Sequence, residues 1–207
     1  MGMYSDWILP RLLNSAMDTK TFAEERRKAL AGVKGNVLEV GFGTGHNLPF
    51  YPDEVERVVA VDPSRESAKL AQKRIAAAPF PVEYLPLSGE RIDAPDHSFD
   101  AVVTTYTLCT VADPLAALEQ IRRVLKPSGS FHLLEHGLAD DPDVQRWQTR
   151  LSAFSAFVLG GCTLDRNIEA LVRQAGFSFE RIDKYFTEGD PKVVGWVTRA
   201  VARVASA

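Results

Sequence analysis

The run Glu39-Val40-Gly41-Phe42-Gly43-Thr44-Gly45 sets three glycines at alternate positions directly after an apolar segment. Glycine is needed where the chain turns through φ values that other residues resist. It is also needed where backbone must approach a ligand with no Cβ between. Val61-Asp62-Pro63-Ser64 follows, and an acid about 20 residues beyond such a loop can accept both hydroxyls of a ribose. Ser64 is free to cap the next helix. Leu87-Ser88-Gly89-Glu90 offers amides and a polar side chain to the edge of a base, while Thr105-Tyr106-Thr107-Leu108 would wall a bound cofactor from an acceptor. Glu135-His136 is a fifth segment of the same kind.

These segments do chemistry together only if elements bring them to one edge. The apolar runs Val37–Val40, Val58–Val61, Val82–Leu85, Ala101–Thr105 and Ser130–Leu134 read as central parallel strands covered on both faces. They alternate with helical patterns, as in a doubly wound sheet. Asp113 before Pro114 caps one helix, whose buried stripe is Leu118, Ile121 and Leu125 and whose stop is Lys126-Pro127-Ser128-Gly129. Ile168, Leu171, Val172 and Ala175 mark another, closed by Gly176. Phe177–Tyr185 and Val193–Thr198 complete an expected sheet of about seven strands as a C-terminal hairpin. In such a sheet ligands bind beyond the carboxyl ends of the strands, where all five segments fall.

A chain of 207 residues, 45% hydrophobic and 25% charged, fits one α/β domain with a core that needs neither disulfide nor structural metal. The expected division is a helical segment at 1–34, acting as a lid of the same domain, and a Rossmann-like domain at 35–207. A net charge of −3 gives no field to attract nucleic acid. The apolar stretch Trp7–Leu13 is broken by Pro10 and Arg11, so no stable membrane anchor is expected. Ile8, Leu12 and Met17 read as an apolar stripe beside Trp7 that packs over the domain as a lid or, as the alternative, touches a membrane surface. Cys109 and Cys162 are the only cysteines. They fit a reducing, cytoplasmic setting, and two isolated cysteines do not make a zinc site.

The ligand is narrowed by what the loop lacks. A dinucleotide loop reads G-x-G-x-x-G, whereas here the third glycine is Gly45, His46 follows it, and Glu39 precedes the loop. No lysine follows to grip phosphate, which excludes a P-loop. The pattern suits a cofactor with an ammonium and a carboxylate, S-adenosylmethionine, better than one with a pyrophosphate.

Glu39 to Gly45, Val61-Asp62, Ser98-Phe99-Asp100 and Arg123-Val124-Leu125-Lys126-Pro127-Ser128-Gly129 resemble the class I S-adenosylmethionine-dependent methyltransferases. Phe50-Tyr51-Pro52, Asp62-Pro63, Gly89-Glu90, Leu108-Cys109, Glu135-His136, Trp147-Gln148 and Gly161-Cys162 with Arg166 resemble the small thiol methyltransferase branch. The resemblance implies a class I fold and methyl transfer to a small hydrophobic thiol, releasing S-adenosylhomocysteine. It implies a cofactor site of Glu39, Gly41, Gly43, Gly45, Asn47, Asp62, Pro63, Ser88, Gly89, Glu90, Thr105, Tyr106 and Leu108. Cys109, Trp147, Cys162 and Arg166 are the expected acceptor-pocket residues, and His136 is the candidate base. Members of that branch begin with a membrane anchor and carry a hydroxyl residue where Asp165 stands here. A quinone, phenol or lipid-precursor acceptor is the enzymatic alternative, and a non-catalytic sensor of S-adenosylmethionine the other.

Overall fold

The computed structural model describes residues 4–205, so the outermost ends of both expected segments lie outside the described residues. After a π-helical turn at Tyr4–Ile8, α1 (Leu9–Ala16) and α2 (Lys20–Leu30) precede the sheet. Then come β1 (Gly35–Val40), β2 (Val55–Val61), α3 (Arg65–Ala77), β3 (Val82–Leu85), β4 (Phe99–Thr105), α4 (Pro114–Val124) and β5 (Leu125–His136). The chain continues through α5 (Pro142–Val158), α6 (Ile168–Gln174), β6 (Phe177–Phe186), the short α7 (Lys192–Gly195) and β7 (Trp196–Val204).

The sheet has seven strands in the order β3-β2-β1-β4-β5-β7-β6. The first five pair in parallel, and β7 runs antiparallel to both β5 and β6. This is the expected Rossmann-like sheet with its antiparallel C-terminal hairpin. The order reverses at β1 and β4, which leaves a crevice at their carboxyl ends. Two apolar clusters cover the sheet, one around Leu38, Phe131 and Ile121 and the other around Val37, Val58 and Phe42. Strands β1, β2 and β4 each feed both, which explains their near-continuous apolar runs.

Helix ends follow local chemistry. Asp113 accepts the Ala116 N–H at 3.0 Å and Ser64 accepts the Ser67 N–H at 3.1 Å, each satisfying a first-turn donor. Gly176 closes α6 at φ +84°.

Four readings are corrected. Val82–Leu85 is an edge strand and half-buried, because nothing pairs beyond it. The last strand is Trp196–Val204, since Pro191 opens a helical turn over Lys192–Gly195 that takes up Val193 and Val194. Leu125 is buried as the first residue of β5 rather than on the α4 stripe, and Lys126 to Gly129 carry that strand onward. Finally, α1 presents Leu9 to the domain, whereas Trp7, Ile8 and Leu12 are exposed.

Helix α5 turns an unexpected face inward. Val144, Gln148, Ser152 and Ser155 are buried, while Trp147 is 54% and Phe157 is 82% exposed. Hydrogen bonding sets this orientation. Gln148 Oε1 accepts the Ala139 N–H at 2.9 Å, its Nε2 donates to the Gly137 and Val193 carbonyls, and Ser152 donates to Asp165 at 2.5 Å. Buried polar groups are generally paired, so Gln148 and Ser152 turn toward the domain and the aromatic stripe faces out, whereas the buried Ser155 hydroxyl has no partner among the described residues.

Candidate active site

A cleft of about 470 Å³ opens at the carboxyl ends of β1, β2 and β4, a volume in the range of small-molecule sites. The glycine loop forms its floor. Gly41, Gly43 and Gly45 hold φ of +76°, +56° and +78°, a region L side chains rarely adopt. At Gly41 a Cβ would also lie 2.0 Å from Thr107 Oγ1.

Asp62 fastens this loop. One carboxylate oxygen accepts the Gly43 N–H and the other the Ser64 N–H, both at 2.8 Å. Burial raises its pKa against the pull of these two amides. Each oxygen keeps a further lone pair for a ligand. Ser64 is the cap of α3, so Asp62 is free of that duty.

Glu39 is fully buried at the end of β1. It accepts from the Tyr51 hydroxyl at 2.6 Å and from Asn47 Nδ2 at 2.8 Å, and Asn47 also donates to Thr105 Oγ1 at 3.0 Å. Burial lifts its pKa to about 7, although both hydrogen bonds and the nearby Arg26 oppose the rise. The Asn47 Oδ1 atom and the Tyr106 hydroxyl are buried without a partner among the described residues. Tyr106 itself sits at φ +56°, backbone strain of the kind found at ligand-binding positions.

The N-terminal helices roof the cleft. Leu9, Leu13, Asn14 and Met17 line it. Arg74 on α3 donates to Asn14 Oδ1 at 3.0 Å and to the Thr44 carbonyl at 3.1 Å, and Arg11 pairs with the buried Glu66 at 2.7 Å. His46 contacts the Asn14 carbonyl at 3.1 Å, and burial next to Arg74 and Arg26 pulls its pKa down to about 4, so the ring is neutral. Arg26 on α2 is 3% exposed, lines the cleft and donates to the Met17 carbonyl. Desolvation lowers its pKa, but guanidinium stays charged.

Of the expected cofactor residues, Glu39, Gly41, Gly43, Asn47, Asp62, Pro63, Ser88, Gly89, Glu90, Thr105 and Tyr106 line this cleft. Gly45 and Leu108 do not. Gly45 turns the loop against Phe42 and Leu48, and Leu108 is wholly buried in the core. The acceptor set departs further from expectation. Trp147 lies on the outer face of α5. His136, Cys109, Cys162 and Arg166 are not among the residues lining the cleft, and the first three gather on the far side of its Tyr106–Thr107 and Thr110 lining. The sulfurs of Cys109 and Cys162 are 3.6 Å apart, and Arg166 donates to the Leu108 carbonyl. The His136 ring packs on Tyr106 with centroids 4.6 Å apart. Hydrogen bonds to Cys109 and His136, with the nearby Arg166 charge, draw the Cys162 thiol down against its burial, and the same thiol contact raises Cys109.

Sequence reasoning missed Arg26 and named Glu135 without giving it a role. Arg26 lies in the charged run Glu24-Glu25-Arg26-Arg27-Lys28, which reads as a solvated face. The usable signal was its helical spacing with Phe22 and Ala29 on the inward side. Glu135 is completely buried, with its pKa raised to about 7 by burial. Its Oε2 accepts the Thr107 N–H at 2.8 Å and the Cys109 N–H at 3.4 Å, so it shapes the cleft wall from behind.

A model of the methyltransferase domain matches residues 38–133. Human thiol S-methyltransferase TMT1A is 35% identical over 155 residues, covering 72% of this chain and 63% of its own length. Phosphatidylethanolamine N-methyltransferase of Cereibacter sphaeroides is 29% identical over 164 residues, covering 73% of this chain and 80% of its own. The chain thus spans less than two thirds of the human relative. The crystal structure of YcgJ from Bacillus subtilis superposes with a TM-score of 0.69 at 14% identity, over 90% of this chain and 98% of that one, a likeness of fold.

Proposed function

The chain belongs to the class I S-adenosylmethionine-dependent methyltransferases, and from that premise we propose that it transfers a methyl group to a small, hydrophobic thiol. The carrying observation is the pairing of buried Glu39 and buried Arg26 in one cleft beside a glycine loop clamped by Asp62. An amino-acid zwitterion complements that pair. Glu39 and the unpartnered Asn47 Oδ1 suit an ammonium, and Arg26 suits a carboxylate. Asp62 then holds the ribose hydroxyls, and Ser88, Gly89 and Glu90 flank the base.

S-adenosylmethionine, when bound, supplies a methyl group already activated on a sulfonium. That methyl group would pass to an acceptor thiolate whose proton has left to solvent, and the products would be a thioether and S-adenosylhomocysteine. The protein's share is orientation and exclusion of water. Leu9, Leu13, Met17 and Leu159 give the cleft an apolar roof that suits a hydrophobic acceptor. A thiol has an ordinary pKa of about 8.5, so some thiolate exists at neutral pH. A general base is therefore not required, and His136, which lies off the cleft, is not assigned that part. A reducing compartment such as the cytoplasm would keep acceptor and cysteines as thiols. Among the described residues no helix is long and apolar enough to cross a membrane.

The 35% identity to a thiol S-methyltransferase supports this acceptor class. The test incubates the protein with methyl-labelled S-adenosylmethionine and separate alkyl thiols, phenols, quinols and lipid amines, with products identified by mass. Thioether formation at the highest kcat/KM is the expected result. Turnover confined to oxygen or nitrogen acceptors would overturn the thiol assignment. Binding without turnover across the panel would point to a sensor.

A further inference from the structure

From the convergence of Cys109, Cys162 and His136 behind the cleft wall we infer that this chain carries a three-ligand site for a soft divalent cation of the zinc type. One ligand atom from each of the three residues lies within 4.8 Å of the others. Sequence spacing gave no hint of this, because the two cysteines stand in different loops and the histidine at the end of β5. The topology brings them together, which corrects the reading of the cysteines as isolated.

The sulfur separation excludes a disulfide and is compatible with two sulfurs on one zinc as well as with the thiol–thiol hydrogen bond of the metal-free protein. Tetrahedral zinc with bonds of about 2.3 Å to each sulfur sets a sulfur–sulfur edge of about 3.8 Å. The observed 3.6 Å is close to that edge, whereas a disulfide requires about 2.05 Å. The two segments are also pinned near this spacing. The Cys109 carbonyl accepts the Thr163 N–H at 2.9 Å and its hydroxyl at 3.1 Å, and the Cys109 amide is held by Glu135. His136 is fixed in register by its pairing with Val197 and by its stacking on Tyr106. Two thiolates and an imidazole are a borderline-soft donor set that favours zinc over magnesium or calcium. Both thiol protons leave to solvent on binding, and the dication balances the two sulfur charges.

Three protein ligands leave a fourth position for water or an exchangeable thiol. The location gives the ion a consequence for the cleft. Thr107, Thr110, Leu159 and Gly160 line the cleft and flank the cysteines on both segments, so one ion would clamp two walls at once. Metal binding itself does not depend on the proposed methyl transfer, and its test reads neither turnover nor acceptor.

Reduced, metal-free protein is titrated with cobalt(II) and then zinc(II), following thiolate-to-cobalt charge transfer and the metal content after desalting. One equivalent is expected, with tetrahedral cobalt bands that zinc abolishes. Cys162→Ser and His136→Gln should each weaken uptake at least tenfold while S-adenosylhomocysteine still binds, which reports that they fold. If either variant fails to fold, the spectrum of the unmodified protein decides alone. No stoichiometric uptake by the reduced protein would overturn the site. So would cobalt bands lacking thiolate charge transfer, or a native mass two hydrogen atoms light with no thiol open to alkylation, the mark of a disulfide.

Discussion

Asp62 and Glu39 divide the polar work of the cleft in ways that substitutions can separate. Asp62→Ala removes the acceptor of the Gly43 amide and the proposed acceptor of the ribose hydroxyls. Loss of a charged hydrogen-bond partner costs about 1.5–3 kcal/mol, or a ten- to hundredfold weaker affinity for S-adenosylhomocysteine by calorimetry. Glu39 bears on pH. Its pKa is raised from 4.5 to about 7 by burial, so the fold favours the neutral acid. That contribution is complete below the ordinary value and is lost as pH rises through about 7. Glu39→Gln should therefore flatten part of the decline in stability between those values, measured by urea unfolding. Glu135, raised to about 7 for the same reason, adds to that slope, as does the raised Asp62, while His46, pulled down to about 4, works against it. An ammonium beside Glu39 would draw it back to carboxylate, so ligand binding just below pH 7 should release a proton. Calorimetry in buffers of differing ionisation enthalpy measures that release. At Gly41, alanine would meet both the positive φ and Thr107. Gly41→Ala should abolish cofactor binding, and Thr107→Ala in the same chain should not restore it, because the backbone strain remains.

At the scale of elements, α1 is attached to the domain chiefly through three side chains, Arg74, Arg11 and His46. Arg74→Ala removes its bonds to Asn14 and Thr44 together. Affinity for S-adenosylhomocysteine should fall about tenfold. Hydrogen exchange should quicken in Leu9–Ala16 while the sheet stays protected. Unchanged exchange there would show that the roof is held by its apolar contacts. These elements also show how far the sequence could be read. The glycine loop, Asp62 and the Asp113 cap were legible because each rests on a local rule of backbone conformation or capping. The inward face of α5 was not, since Gln148 overrides hydropathy through three partners that are far apart in the chain or set by loop geometry. Arg26 and the cysteine–histidine cluster were hidden for a related reason. Their meaning comes from residues brought close only by the crossovers of the sheet.

For the whole molecule, the parallel half of the sheet and its switch point at β1 and β4 place the cleft, and alternation of strands and helices sufficed to foresee them. The edge position of β3 and the start of β7 required the pairing itself. Strand β7 lies between β5 and β6 and bonds to both along most of its length. A nascent chain therefore reaches Gly195 with β5 flanked on one side only and with β6 lacking any neighbour. Until Trp196–Val204 emerges, two rows of amides and carbonyls stay open to pairing with other chains. Biogenesis would then be hazardous late rather than early, and a premature stop just short of this strand would yield insoluble product despite an intact ligand cleft.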